Sequence, residues 1–158
     1  MQTVYIETSV VSYYASKTSR DIVIAGHQAS TKDFWEKLNK KFIPVISPLV
    51  IKEVSQGETE KIEEREKAIR GFSVIDISKE AEYLADLLIS KKGIPNKFPE
   101  DALHIALASV GKVDFIATWN FKHINNPFTK NKIKAVIEEA GFICPVVTSP
   151  EELLGGKL

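Results

Sequence analysis

Short apolar runs alternate along this chain with longer segments of helical period, and that alternation restricts the fold more than any single residue does. Residues 3–6, 42–46 and 113–118 read as strands, the second closed by Ser47-Pro48. Residues 143–147 form a fourth run, which Pro145 assigns to a sheet edge because proline cannot donate to a ladder. Residues 72–77 are a weaker fifth candidate. Between them, apolar residues recur at helical spacing over 28–38, 48–54, 81–90, 99–110 and 129–140, and the highly charged stretch 58–69 reads as a solvated helix. Ser47 and Pro48 suit the N-cap and first position of one helix, Pro99 opens another, and Gly93 and Gly141 read as stops. Strands alternating with helices of this length predict βαβ units, right-handed crossovers and a parallel sheet covered on both faces.

Composition bears on the partners. Twenty-one basic and 21 acidic residues give a formal net charge of zero over 158 residues, so no global basic excess advertises a polyanion binder. Any RNA affinity must come from local arrangement. Cys144 is the sole cysteine, which excludes an internal disulfide and suits a reducing compartment. It lies in an apolar stretch and reads as a structural thiol. The start of the chain lacks a basic segment followed by an apolar run, and no apolar run approaches the roughly 20 residues that span a bilayer. The expectation is a cytoplasmic protein with no membrane association and a single domain over residues 1–158.

Ligands of open parallel sheets bind beyond the carboxyl ends of the strands, where strand order reverses. Glu7-Thr8-Ser9 follows the first strand, and Thr118-Trp119-Asn120 ends the strand at 113–118. Glu53 lies in the helix at 48–54, and Asp101 in the first turn after Pro99. Mg²⁺ and Mn²⁺ take oxygen ligands, so two or three carboxylates and an amide oxygen suit such an ion. Each acid also has a plain structural reading. Asp101 complements a helix dipole, Glu53 beside Lys52 is a surface acid, and Glu7 belongs to a turn or cap. Spacing by itself leaves these alternatives open.

Taken together, four segments resemble the PIN-domain family, and within it the VapC-type toxin ribonucleases. They are Tyr5-Ile6-Glu7-Thr8-Ser9, Ser47-Pro48-Leu49-Val50-Ile51-Lys52-Glu53-Val54, Asp101-Ala102-Leu103-His104-Ile105-Ala106-Leu107-Ala108, and Ala117-Thr118-Trp119-Asn120-Phe121. They follow the family's order from residue 5 to about 121, and the stretch from Pro145 to Leu153 is similar to the family's last strand and tail. The resemblance implies a three-layer α/β/α sandwich around a parallel sheet. It implies cleavage of single-stranded RNA with Mg²⁺ or Mn²⁺ held by Glu7, Glu53, Asp101 and Asn120, which would be both catalytic residues and metal ligands. Thr8, Ser9, His104 and Thr118 would support them. An antitoxin partner and a homodimer belong to the same expectation. The chain departs from the family at two positions: Glu7 stands where Asp is usual, and Asn120 where Asp is frequent. Three acids favour one metal over two. The departures also admit a weakened PIN domain that serves as an RNA-binding or protein-interaction module.

Other residues fit around this frame. His104 falls three positions after Asp101 on the same helix face, either supporting a carboxylate or packing beside it. Lys91, Lys92 and Lys97 lie in a loop before Asp101, and Lys122 and His123 follow Asn120. They are candidates for RNA phosphates or plain solvated surface. Trp119 suits either a base stack or the sheet edge. Tyr13, Tyr14, Phe34 and Trp35 suit a core or a dimer face. A phosphatase with an aspartyl nucleophile needs an Asp-x-Asp start that Glu7-Thr8-Ser9 does not supply. Glycine-rich nucleotide loops are missing from the sequence.

Overall fold

Val4, Tyr5 and Ile6 are wholly buried, as expected of a strand covered on both faces. They belong to β1 (Gln2–Ile6), the middle strand of a five-stranded sheet with order β3-β2-β1-β4-β5. The other strands are β2 (Phe42–Ile46), β3 (Ser73–Val74), β4 (Phe115–Ala117) and β5 (Val146–Thr148), and every neighbouring pair is parallel. The computed structural model describes residues 1–155. Its helices are α1 (Thr8–Ala15), α2 (Ile22–Lys41), α3 (Pro48–Val54), α4 (Thr59–Ile69), α5 (Lys79–Ser90), α6 (Pro99–Val110), α7 (Lys130–Glu139) and α8 (Pro150–Gly155). Helices α5, α6 and α7 pack together, and α1 packs with α2, α3 and α4, while α2 also meets α8. The architecture is the three-layer α/β/α sandwich expected from the sequence.

The sheet tolerates its prolines for stated reasons. β3 pairs only with Val45 and Ile46, so Pro44 lies where β2 has no neighbour on that side. Pro145 immediately precedes β5, an edge strand, as predicted. Between the layers, side chains such as Leu38, Leu84, Leu88, Ile105 and Ile116 are shielded almost entirely from solvent. Each such burial contributes about 1.5–3 kcal/mol.

Local chemistry explains most helix ends. Ser47 Oγ accepts from Val50 N at 3.3 Å ahead of Pro48, as the sequence predicts for α3. Gly141, at φ +92°, closes α7, with Phe142 N bonding Ile137 O at 3.1 Å. The stop after α5 works differently from its prediction. Lys92 takes the left-handed conformation at φ 63°, and Gly93 is there for space: a Cβ would meet Leu88 O and Ile133 Cγ1, each at 3.3 Å. Helices α1, α2 and α8 exceed the sequence reading. α2 begins at Ile22 rather than 28, because Asp21 Oδ1 accepts from Val23 N and Ile24 N at 2.9 and 3.0 Å. α1 begins directly after β1, with the Glu7 carboxylate as its cap. Among the described residues no helix is long and apolar enough to cross a membrane.

Candidate active site at the carboxyl edge of β1 and β4

Strand order reverses between β1, which leads to β2 and β3 on one side, and β4, which leads to β5 on the other. Glu7 and Thr118 leave the sheet at that point. Glu7 N donates to Ala117 O at 3.1 Å, so the exit of β1 is tied to the exit of β4. The Glu7 carboxylate then turns back over the start of α1. Its Oε2 accepts from Ser9 N at 3.1 Å, and its Oε1 accepts from Ser9 Oγ at 2.5 Å and Thr118 Oγ1 at 2.6 Å. The two hydroxyls also receive backbone donors: Trp119 N to Ser9 Oγ at 2.9 Å, and Asn120 N to Thr118 Oγ1 at 2.9 Å. The longer side chain of glutamate allows this reach, and a buried carboxylate is left fully partnered.

A second, inner arm runs through the core. Tyr5 Oη lies 2.8 Å from Ser47 Oγ and 2.7 Å from His104 Nδ1. His104 Nε2 lies 2.6 Å from Glu53 Oε1, which also accepts from Thr8 Oγ1 at 2.6 Å. In the neutral form with the proton on Nε2 and Nδ1 bare, every group has a partner. Val50 N donates to Ser47, Ser47 to Tyr5, Tyr5 to His104 Nδ1, and His104 Nε2 to Glu53. Three elements thus converge on one imidazole: β1 through Tyr5, α3 through Glu53 and α6 through His104 itself.

The third, outer arm joins α6 to the loop after β4. His123 Nδ1 lies 2.9 Å from Asp101 Oδ2, and His123 N donates to Asn120 Oδ1 at 3.0 Å. The Phe98 ring lies on the His123 ring, with centroids 4.0 Å apart. His123, proposed from sequence as an RNA contact, therefore braces Asp101. A lone histidine in a loop carries no sequence signal for such a role. Tyr5 belongs to the first of the four sequence segments but has no role there, and the usable clue is a hydroxyl inside an otherwise apolar buried strand. Ser47 was legible as a helix cap but not as the partner of Tyr5.

Electrostatics ties the arms together. Burial pulls the His104 pKa down, but the Glu53 hydrogen bond and the charges of Glu7, Glu53 and Asp101 outweigh it and leave it raised. Glu53 is the converse. Burial pushes its pKa up, and the His104 hydrogen bond and charge, with Thr8 and Lys52, bring it below the ordinary value. Burial drives the Tyr5 hydroxyl far above the usual tyrosine range, with Glu7 and Glu53 adding to it.

The donor chemistry suits a hard divalent cation. Among the described residues, Glu53 Oε2 and Asp101 Oδ1 take no hydrogen bond, while their sister oxygens are pinned. Among the described residues no group of three or more His, Cys, Asp or Glu side chains is placed to hold a metal ion, so Glu7, Glu53 and Asp101 do not form one three-acid cluster. Mg²⁺ keeps several waters and is usually held by one or two protein carboxylates, so two free carboxylate oxygens fit it.

Among the described residues, the remaining sequence candidates make no hydrogen bond or ion pair with Glu7, Glu53 or Asp101. Lys91 pairs with Glu139 at 3.5 Å, on exposed surface. Lys92 occupies the left-handed turn after α5, while Lys97 and Lys122 are exposed. Trp119 is 7% exposed, stacks on His27 at 4.1 Å and donates Nε1 to Thr31 Oγ1 at 2.8 Å, so it packs rather than presents a face. Tyr14 stacks on Trp35 at 4.2 Å beside a surface hollow of about 500 Å³ that lies apart from the acids. Burial pushes the Cys144 thiol up to about 11, in keeping with a structural role.

Comparison with known proteins places the fold. No family model and no curated protein matches the chain. By shape it is similar to a chain in the crystal structure of VapBC2 from Rickettsia felis bound to a DNA fragment from their promoter. The TM-score is 0.62 at 18% identity, over 94% of this chain and 98% of that one.

Proposed function

We propose that this chain is a Mg²⁺- or Mn²⁺-dependent endoribonuclease that cleaves single-stranded RNA, with Glu7, Glu53, Asp101 and Asn120 at its centre. The observation that carries the reading is that Glu53, on α3, and Asp101, on α6, each have one oxygen bonded to a histidine and the other without a hydrogen bond among the described residues, while Glu7 is held at the strand-order switch. The fold likeness to a VapBC2 chain agrees with the VapC-type resemblance of the four sequence segments. It also supports an antitoxin partner, since that neighbour was crystallised as VapBC2. The same reading takes residues 1–158 as one PIN-like domain in the cytoplasm, acting as the toxin of a toxin–antitoxin pair and forming a homodimer.

In this scheme the protein supplies orientation. His104 and Thr8 fix Glu53 Oε1 and leave Oε2 free, and His123 fixes Asp101 Oδ2 and leaves Oδ1 free. Ser9 and Thr118 hold Glu7 at the exit of β1. Bound divalent metal supplies charge neutralisation at the phosphodiester and lowers the pKa of water. Lys97 and Lys122 would meet neighbouring phosphates.

One feature favours the weakened-module alternative. Asn120 Oδ1 already accepts from His123 N, which leaves this neutral side chain a poorer ligand than a free carboxylate. A single assay separates the two readings. Wild-type protein should cut single-stranded RNA with Mn²⁺ and not with EDTA. Glu53→Gln and Asp101→Asn should each lose more than about 100-fold, beyond the range usual for residues that merely orient a ligand. RNA binding without cleavage in the wild type would favour the module, and equal cleavage by wild type and Glu53→Gln would remove the acids from the mechanism.

A further inference from the structure

Two aromatic rings beside the outer arm are left open to solvent. Phe98 is 37% exposed and Phe121 is 44% exposed. Each is braced from beneath by other rings. Phe98 lies on His123 with a centroid separation of 4.0 Å and a tilt of 32°. Phe121 stands edge-on to His27 and Trp119, each at 5.9 Å. The segments that carry them also carry the site. Phe98 immediately precedes α6 and Asp101, and Phe121 immediately follows Asn120. Each ring has an exposed lysine as its chain neighbour, Lys97 before Phe98 and Lys122 after Phe121. Neither lysine takes part in an ion pair among the described residues.

We propose that Phe98 and Phe121 are stacking platforms for two unpaired nucleobases of the RNA strand, with Lys97 and Lys122 holding the adjoining phosphates. This deepens the ribonuclease reading and rests on it for the identity of the polymer. A ring held by neighbouring rings yet partly open to solvent suits a base face, and any base will serve because each has one. An ammonium one residue away suits the backbone that carries that base. Bases in a duplex are stacked and paired, so their faces are not free for such platforms. The paired rings therefore select single strands without reading sequence. They also explain why the buried Trp119, the aromatic residue that stands out in the sequence, does not perform this role: it supports Phe121 instead.

The test uses a short single-stranded RNA carrying 2-aminopurine, titrated in EDTA so that binding is read without cleavage. Wild-type protein should quench the fluorophore and bind the blunt duplex of the same sequence more weakly. Phe98→Leu and Phe121→Leu should each weaken binding about 5- to 100-fold and lose quenching at one position of the fluorophore. Phe98→Trp and Phe121→Trp should retain both. With Mn²⁺, the leucine variants should lose more in KM than in kcat. If the wild type binds and quenches but never cleaves, the platforms stand and the nuclease reading fails. If the wild type cleaves and the leucine variants match it in affinity and quenching, the platforms fail, and the exposed rings belong to a protein interface. Equal affinity for the blunt duplex would also overturn the proposal.

Discussion

The two histidines of the site do similar chemistry in dissimilar surroundings. His104 is 1% exposed and links Glu53 to Tyr5 and Ser47 through bonds of 2.6–2.8 Å. His123 has a side chain 11% exposed, touches Asp101 at 2.9 Å, and sits beneath a solvent-facing ring. Tyr5, Ser47 and His104 of the inner arm are closed to solvent, whereas the imidazole of the outer arm is partly open. Changes to the inner arm should therefore damage the fold first, and changes to the outer arm should damage substrate handling first.

The sharpest contrast comes from removing each imidazole. His104→Leu removes one of the two partners of both Tyr5 Oη and Glu53 Oε1 and replaces a buried polar ring, and should cost about 3 kcal/mol in urea unfolding. His123→Leu should cost about 1 kcal/mol, because Asp101 can turn to water. Equal losses would erase the distinction between the arms. Tyr5→Phe should fall between them at about 2 kcal/mol, since Ser47 and His104 each lose a hydrogen bond in the core. A neutral result there would mean the inner chain is not closed as described.

Acidity sharpens the same comparison. The raised pKa of His104 gives stability that is complete below the ordinary histidine value of 6.5 and lost as pH climbs through the raised one. The lowered pKa of Glu53 gives stability present above the ordinary 4.5 and lost as pH falls through the lowered one. Metal-free protein should melt highest between those ordinary values and fall by a few degrees as pH rises above them. His104→Gln should flatten the alkaline limb, and a steep limb in that variant would assign the effect to another group. Smallest of all, Lys97→Ala and Lys122→Ala should leave stability unchanged. Each should make RNA binding less sensitive to salt, lowering the log–log slope by about 0.7 for every phosphate no longer neutralised.

How much of this was legible depends on range. Pro48, Pro99 and Gly141 act within a turn of themselves, and the helices they bound were readable. α1 was not. Thr8-Ser9-Val10-Val11 is rich in β-branched residues and hydroxyls, and a glutamate cap is outside the usual set. α8 carried a signal that went unread: Ser149 and Glu152 form a reciprocal capping box, at 3.0 and 3.2 Å. The candidate acids were named from a resemblance spread over four segments. Their placement around His104 was not readable, because Tyr5, Glu53 and His104 meet only when three elements pack. Exposure was likewise hidden, so Trp119 drew notice while Phe98 and Phe121 did not.

The central claim is that Glu53 and Asp101 belong to one site for a hard divalent cation, and calorimetric titration with Mn²⁺ tests it most directly. The wild type should show a saturable site, and Glu53→Gln and Asp101→Asn should each abolish it while Lys97→Ala leaves it intact. No uptake by the wild type, or unchanged uptake by both acid variants, would contradict the account.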